Sequence, residues 1–369
     1  MQATGSRDGA TGRLLSLDVL RCLAVLLVIL RHAEGLIQSS DSWLRPLVEP
    51  VARIGWMGVD LFFVLSGFLV SGLLFRELDR TGTIRPGRFL IRRAFKILPS
   101  FWVYIAVVTL LAVWRTGRFP WKPLAAELLF VQNYFEGLAG QTWSLAVEEH
   151  SYWLLPFGLL ALWDRASKKL CAAPLWVAFI VISAAALACR SWLAWTVEYQ
   201  HITHLYPTHL RLDALLSGVM LGYWRRYHPL DYEAWTGRLG RWGYLLVALA
   251  LAPSVSGSLE RSPWVLSFGL VGNYFGFALL IALRLEAKTP TAGWRTTIQK
   301  ALACGGRWSY CVYLWHLELI GRLGFYGIPY WPLEILLPFG IVGSFALGWL
   351  MTELVERPCL RLRDRWFPD

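Results

Sequence analysis

Apolar residues fall in ten blocks along the chain, at about residues 14–37, 56–75, 97–114, 142–163, 174–195, 206–224, 242–257, 264–283, 308–327 and 332–354. Most approach the ~20 residues that an α-helix needs to cross a bilayer; the block at 242–257 is short. None shows the alternation of period two that a membrane strand requires. The pattern predicts an all-α, polytopic integral membrane protein with about ten transmembrane helices. Residues 1–13 are polar and glycine-containing and read as a flexible cytoplasmic tail, with residues 14–369 as one transmembrane domain. The first block is too long for a cleaved signal peptide and has no small-residue cleavage site after it, so it is expected to stay as an anchor.

The polar positions between the blocks set the orientation. Residues 76–96 hold Arg76, Arg80, Arg85, Arg88, Arg92, Arg93 and Lys96. The positive-inside rule puts this loop, and with it the N-terminus, in the cytoplasm. Basic residues return in every second connection: Arg165, Lys168 and Lys169, then Arg225, Arg226, Arg238 and Arg241, then Arg284, Lys288, Arg295, Lys300 and Arg307, and finally Arg357, Arg361, Arg363 and Arg365. The intervening connections are aromatic or histidine-bearing and far less basic. Both termini are therefore expected on the cytoplasmic side of the inner membrane.

Composition agrees. The chain has 369 residues, 56% of them hydrophobic, and a mean hydropathy of +0.45, against ~45–50% apolar residues in a soluble domain. Its net charge of +11 lies in short loops rather than on a basic face of a soluble fold, so a nucleic-acid partner is not expected. Six cysteines are scattered with no close pair, which argues against a metal site or a disulfide framework.

The first block is unusual in what it keeps. Asp18, Arg21, Arg31, His32 and Glu34 lie in an otherwise apolar run, and ionisable groups within a bilayer cost roughly 2.5–3.5 kcal/mol each on insertion scales. Arg21 and His32 are close to three helical turns apart, so they share a face and stand about 16 Å apart along the axis. That spacing suits a long ligand with an anionic head and a reactive tail. Two structural readings compete: Arg21 snorkelling to headgroups, and His32 bridging two helices. The predicted topology puts His32, Asp60, Glu148, Glu149, Arg211 and Asp213 in one outer layer. Arg21, Arg92, Arg93 and Lys96 lie near the inner face, while Ser309, Tyr310, Tyr313 and His316 climb from it. Glu148 and Glu149 point about 100° apart, so only one is expected to face His32. Internal ion pairing is the competing reading for Asp60 and Arg211, and simple charge topology for Arg92, Arg93 and Lys96.

Seven strings then occur in order: LDVLRCLAVLLVILRH, with ten residues between Arg21 and His32, GVDLFFVLSGFL at 58–69, RRAFKILPSFW at 92–102, WSLAVEEHSYWLLP at 143–156, RLDALLSGVMLG at 211–222, SYCVYLWHLEL at 309–319 and VERP at 355–358. Together they resemble the membrane-bound acyltransferase-3 family of bacteria, over residues 14–358. The resemblance implies transfer of an acyl group, usually acetyl, from cytoplasmic acyl-CoA to a hydroxyl on a saccharide or related acceptor. It implies that Arg21 and His32 are the functional pair, with His32 central to catalysis, and that residues 92–96 help to hold the donor. Lys96 stands where an arginine is more usual, which keeps the charge but loses the bidentate fork. His150 and Ser151 also depart from the family pattern.

Read together, these observations give a donor set of Arg21, Arg92, Arg93, Lys96, Ser309, Tyr310 and Tyr313, and an acceptor side with Arg211 and Asp213. His32 is the expected base, oriented by Glu148 or Glu149, with Asp60 in reserve. Direct transfer and an acyl-histidine intermediate both stay open. A transporter or flippase would also keep ionisable groups in its spans, but the paired halves common in transporters are missing, because the basic loop at 76–96 has no counterpart in the second half.

Overall fold

The computed structural model describes residues 5–164, 169–287, 293–326 and 331–367. In chain order its helices are α1 (Gly5–His32), α2 (Glu34–Gln38), α3 (Arg45–Ile54), α4 (Met57–Thr81), α5 (Pro86–Thr116), α6 (Trp121–Leu128), α7 (Trp143–Ala161), α8 (Ala172–Thr196), α9 (His201–His204), α10 (Leu212–Tyr227), α11 (Pro229–Leu239), α12 (Trp242–Val255), α13 (Leu270–Glu286), α14 (Trp294–Arg307), α15 (Ser309–Tyr326), α16 (Leu333–Met351) and α17 (Arg357–Trp366). A helix covers each apolar block, and the protein is an all-α membrane protein. Five stretches, Met57–Thr81, Pro86–Thr116, Ala172–Thr196, Val265–Glu286 and Leu333–Trp366, are long and apolar enough to cross a membrane.

Several boundaries differ from those read in the sequence. α1 starts at Gly5, so residues 5–13, expected as a tail, are helical; extending a formed helix costs far less than starting one. The first block does not run through to residue 37, because the chain leaves α1 after His32 and α2 follows. α10 starts only at Leu212, after a short 3₁₀ turn at Thr208–Leu210. α12 has just 14 residues. The connecting helices α3, α6, α11, α14 and α17 were not read from apolar blocks. A two-residue antiparallel ladder, with Trp163 opposite Leu170, interrupts the helical pattern. The basic positions Arg165, Lys168 and Lys288 lie outside the described residues.

Local chemistry accounts for the helix ends and the tight contacts. Gly82 and Gly117 close α4 and α5 with φ of 70° and 66°, and their amides bond the carbonyls of Leu78 and Val113; only glycine adopts that left-handed cap without strain. α14 approaches α1 so closely that a Cβ at Gly306 would collide with the Asp18 carbonyl oxygen. Small residues allow this backbone contact between membrane helices.

The protein carries large apolar side chains outside and buries several ionisable ones within its largely apolar interior. Trp114 and Leu110 on α5, Val177 and Val181 on α8, and Val342 on α16 are exposed, whereas Asp60, Arg190, Arg211, Asp213, Asn273 and His316 are at most 2% exposed. The apolar exterior is what a lipid solvent selects. One apolar cluster joins α1, α4, α13 and α15. A second lies around Leu74, Phe75, Phe89 and Tyr152.

Candidate active site

Two cavities lie on either side of a shared wall. The larger, about 1080 Å³, is lined by His32, Trp143, Tyr206, Arg211 and Glu260, among others. The smaller, about 100 Å³, is lined by Arg21, Arg93, Lys96, Glu148, Arg307 and Ser309, among others. Val59 and Tyr313 line both. Since Arg21 and His32 share one face of α1, the helix presents its guanidinium to one cavity and its imidazole to the other.

His32 is the last residue of α1 and is open to the larger cavity. Its Nδ1 lies 2.9 Å from the Val28 carbonyl oxygen and 3.0 Å from Nε2 of His316, in α15. His316 is fully buried, and its own Nδ1 lies 2.7 Å from the Tyr313 carbonyl oxygen. The expected orientation of His32 by a carboxylate is not what the structure has. Glu148 accepts hydrogen bonds from Ser66, at 2.8 Å, and Tyr152, at 2.9 Å, and lines the smaller cavity. Glu149 lines neither cavity. Helix rise gives the reason: α7 begins with Trp143 at the larger cavity, and Glu148, five residues on, stands about 7.5 Å further along the axis.

Asp60 does not reach His32 either. It pairs with Arg211 and accepts a 2.7 Å bond from Asn273 Nδ2, all three side chains being buried. The competing sequence reading, an internal ion pair, describes this contact. Arg211 also reaches the larger cavity and lies 5.5 Å from the Phe63 ring centroid, within range for a cation–π contact. Asp213 is paired instead with Arg190 at 2.6 Å and lines neither cavity.

The smaller cavity gathers most of the expected donor residues. The Arg93 guanidinium lies 4.2 Å from the Tyr152 ring centroid. Lys96 Nζ is 3.5 Å from Glu356, and Arg21 is 3.3 Å from Asp18. Tyr310 donates to the Ile97 carbonyl at 2.7 Å. Tyr313 is fixed at the shared wall by Ser144 Oγ at 2.7 Å and by the Gln141 carbonyl at 2.8 Å. Arg92 is turned away, toward the C-terminal Phe367 carbonyl, with Asp364 3.7 Å away. Arg307 joins this cluster from the end of α14, although the sequence pattern offered it only as one loop charge among several. His316 is the other residue that sequence reasoning left without a role. Its signal was the spacing of three from Tyr313 in SYCVYLWH, which puts both on one helical face.

At the mouth of the larger cavity Arg31 bridges Glu34 and Glu260. His201, in a connection outside the spans, lines the same mouth, and burial holds its pKa below the ordinary imidazole value. Trp143 and Tyr206 stack with centroids 4.7 Å apart at 12°. Such a lining offers flat apolar faces beside paired charges. Among the described residues no group of three or more His, Cys, Asp or Glu could hold a metal ion.

Comparison with known proteins gives this geometry a context. The peptidoglycan O-acetyltransferase OatA of Listeria monocytogenes is 29% identical over 334 residues, spanning 83% of this chain and 49% of that protein. Nodulation protein 10 of Rhizobium leguminosarum bv. viciae is 26% identical over 394 residues, spanning 97% of this chain and 96% of that protein. A Staphylococcus aureus (strain COL) protein with a provisional O-acetyltransferase name is 26% identical, over 82% of this chain and 50% of its own length. The chain thus spans about half the length of the first of these curated relatives. No solved structure matches. The profile of the acyltransferase-3 family, described as an acyltransferase domain, matches residues 14–353, and the chain belongs to that family.

Proposed function

We propose that this protein is an acyl-CoA-dependent O-acyltransferase of the inner membrane. In this reading it has about ten spans, both termini are cytoplasmic, and residues 14–369 act as one catalytic domain. The observation that carries the reading is the pair of cavities sharing Val59 and Tyr313, with Arg21 lining one and His32 lining the other. The basic smaller cavity faces the cytoplasm and takes the donor. Arg21, Arg93 and Lys96 attract the phosphates of coenzyme A, and Ser309, Tyr310 and Tyr313 flank the pantetheine arm. The ~16 Å rise from Arg21 to His32 lets that arm bring its thioester to the shared wall without moving the head.

The acceptor hydroxyl enters the larger cavity from outside. Neutral His32 takes its proton at Nε2. The alcohol oxygen bonds to the thioester carbonyl carbon, the carbon–sulfur bond breaks, and the thiolate of coenzyme A regains the proton from His32. Acetyl is the group expected. A saccharide acceptor suits the stacked Trp143 and Tyr206 rings beside Glu260 and Arg31, and the name of the Listeria relative supports a glycan of the cell envelope. Glu148, Glu149 and Asp60 have no step in this mechanism.

The test is acetyl transfer from labelled acetyl-CoA to envelope glycans by membranes containing His32→Ala. Removing a general base should lower turnover by about 10²–10⁴-fold, with insertion and donor binding retained. Normal turnover in a well-folded variant would sink the proposal.

A further inference from the structure

The partner of His32 is an imidazole, and its hydrogen bonds fix more than its position. A carbonyl oxygen only accepts hydrogen bonds. His316 Nδ1, 2.7 Å from the Tyr313 carbonyl, must therefore carry a proton, which leaves Nε2 as a lone pair. That lone pair faces His32 Nδ1 at 3.0 Å, and Nδ1 also faces the Val28 carbonyl at 2.9 Å. The reverse arrangement, with His316 protonated at Nε2, would set two lone pairs against two carbonyl oxygens. A doubly protonated His316 would be an unpaired charge with no exposed surface, which is costly. The consistent assignment is a proton on Nδ1 of both rings. His32 Nε2 is then the free basic nitrogen.

We infer that His316 is the positioning residue of the site: it holds the ring and the tautomer of His32 so that Nε2 is presented to the acceptor. This inference rests on the reading of His32 as the base. His316 lines neither cavity, so it acts through His32 and does not touch the substrates. In His–Asp pairs a carboxylate does this work; here a neutral acceptor does, itself anchored to the backbone of α15. The Val28 carbonyl shares the Nδ1 proton, and His316 Nε2 supplies the second acceptor, from another helix, that fixes the plane of the ring. Throughout the reaction the Nδ1 proton stays in place, while Nε2 gains the hydroxyl proton and returns it to the thiolate.

The experiment compares His316→Gln, whose side-chain oxygen can reach the place of Nε2, with His316→Phe, which keeps the ring shape but accepts nothing. His316→Phe should lose kcat by roughly 10²-fold, a general-base contribution, with KM for acetyl-CoA unchanged. His316→Gln should recover most of that loss. Imidazole ¹⁵N NMR should show His32 protonated at Nδ1 in the wild type and in His316→Gln, and a mixture of tautomers in His316→Phe. If His316→Phe does not accumulate, His316→Met replaces it with the same expectation. Equal kcat in the Gln and apolar variants, or an unchanged His32 tautomer, overturns the inference. A His32→Ala protein that turns over normally overturns the base itself, so the two failures are distinguishable.

Discussion

At the residue scale, the polar side chains of the interior divide into groups that face a cavity and groups that hold helices together. Asp60 belongs to the second kind. It is 1% exposed and spends both carboxylate oxygens on Arg211 and Asn273. Removing one partner of a buried pair strands the other charge, at about 3–5 kcal/mol. Asp60→Ala is expected to lower the midpoint of thermal unfolding of the purified protein and to reduce the amount in the membrane. Turnover per folded molecule should be retained within an order of magnitude. A stable but inactive Asp60→Ala would return this residue to the chemistry. The shared face of Arg21 and His32 was legible in the sequence because it depends only on helical period. The partner of His32 was not. Depths counted from span ends set Glu148 level with it, and the actual neighbour lies 284 residues away, a relation created by packing alone.

At the scale of elements, α1 is the pillar, and its fit against α14 brings Arg21 and Arg307 to one cavity. Gly306 permits that fit, since its place is taken up to the Asp18 carbonyl. Gly306→Leu should destabilise by at least the ~1–3 kcal/mol of an overpacked core, separate Arg307 from Arg21 and raise KM for acetyl-CoA. Gly321→Ala, in open space on α15, is the control and should be tolerated in both thermal unfolding and kinetics. The connection after α6 is built differently. Glu127 accepts bonds from the Leu138 and Ala139 amides and from Thr142 Oγ1, and burial raises its pKa from 4.5 to about 7. The folded form therefore holds the proton more tightly than the unfolded one. Its contribution is full below pH 4.5 and is lost as pH rises through about 7. Hydrogen exchange of the Leu138 and Ala139 amides should accelerate over that interval, and Glu127→Gln should flatten the dependence. The ten apolar blocks located the long helices, since hydropathy is a local property. They missed α3, α11, α14 and α17, whose polar faces keep their average hydropathy low, and α6, which has only 8 residues.

At the scale of the whole molecule, the alternation of basic and weakly charged connections makes a directional claim. Cys171, exposed in the connection between α7 and α8, lies in a basic turn that the charge pattern predicts to be cytoplasmic. Ser256, at the larger cavity, is predicted to lie on the opposite side. A membrane-impermeant maleimide added to intact cells or spheroplasts should label a Ser256→Cys protein and leave Cys171 unmodified until the membrane is opened. The reverse pattern would invert the donor and acceptor sides. Amino-acid order alone makes this expectation of polarity, because charge counts survive errors of a few residues in each boundary. The cavities themselves did not show, because each is lined by side chains from distant parts of the chain.

The wall between those cavities has a consequence of its own. Val59 and Tyr313 face both hollows, so under the proposed orientation these two side chains stand between the donor and acceptor sides. Tyr313 is tethered at its hydroxyl by Ser144 and Gln141, so the septum is braced rather than loose. An enzyme built this way must keep water from taking the place of the alcohol. If His32 is the base, fidelity lies in the rigidity of a phenol ring as much as in that imidazole.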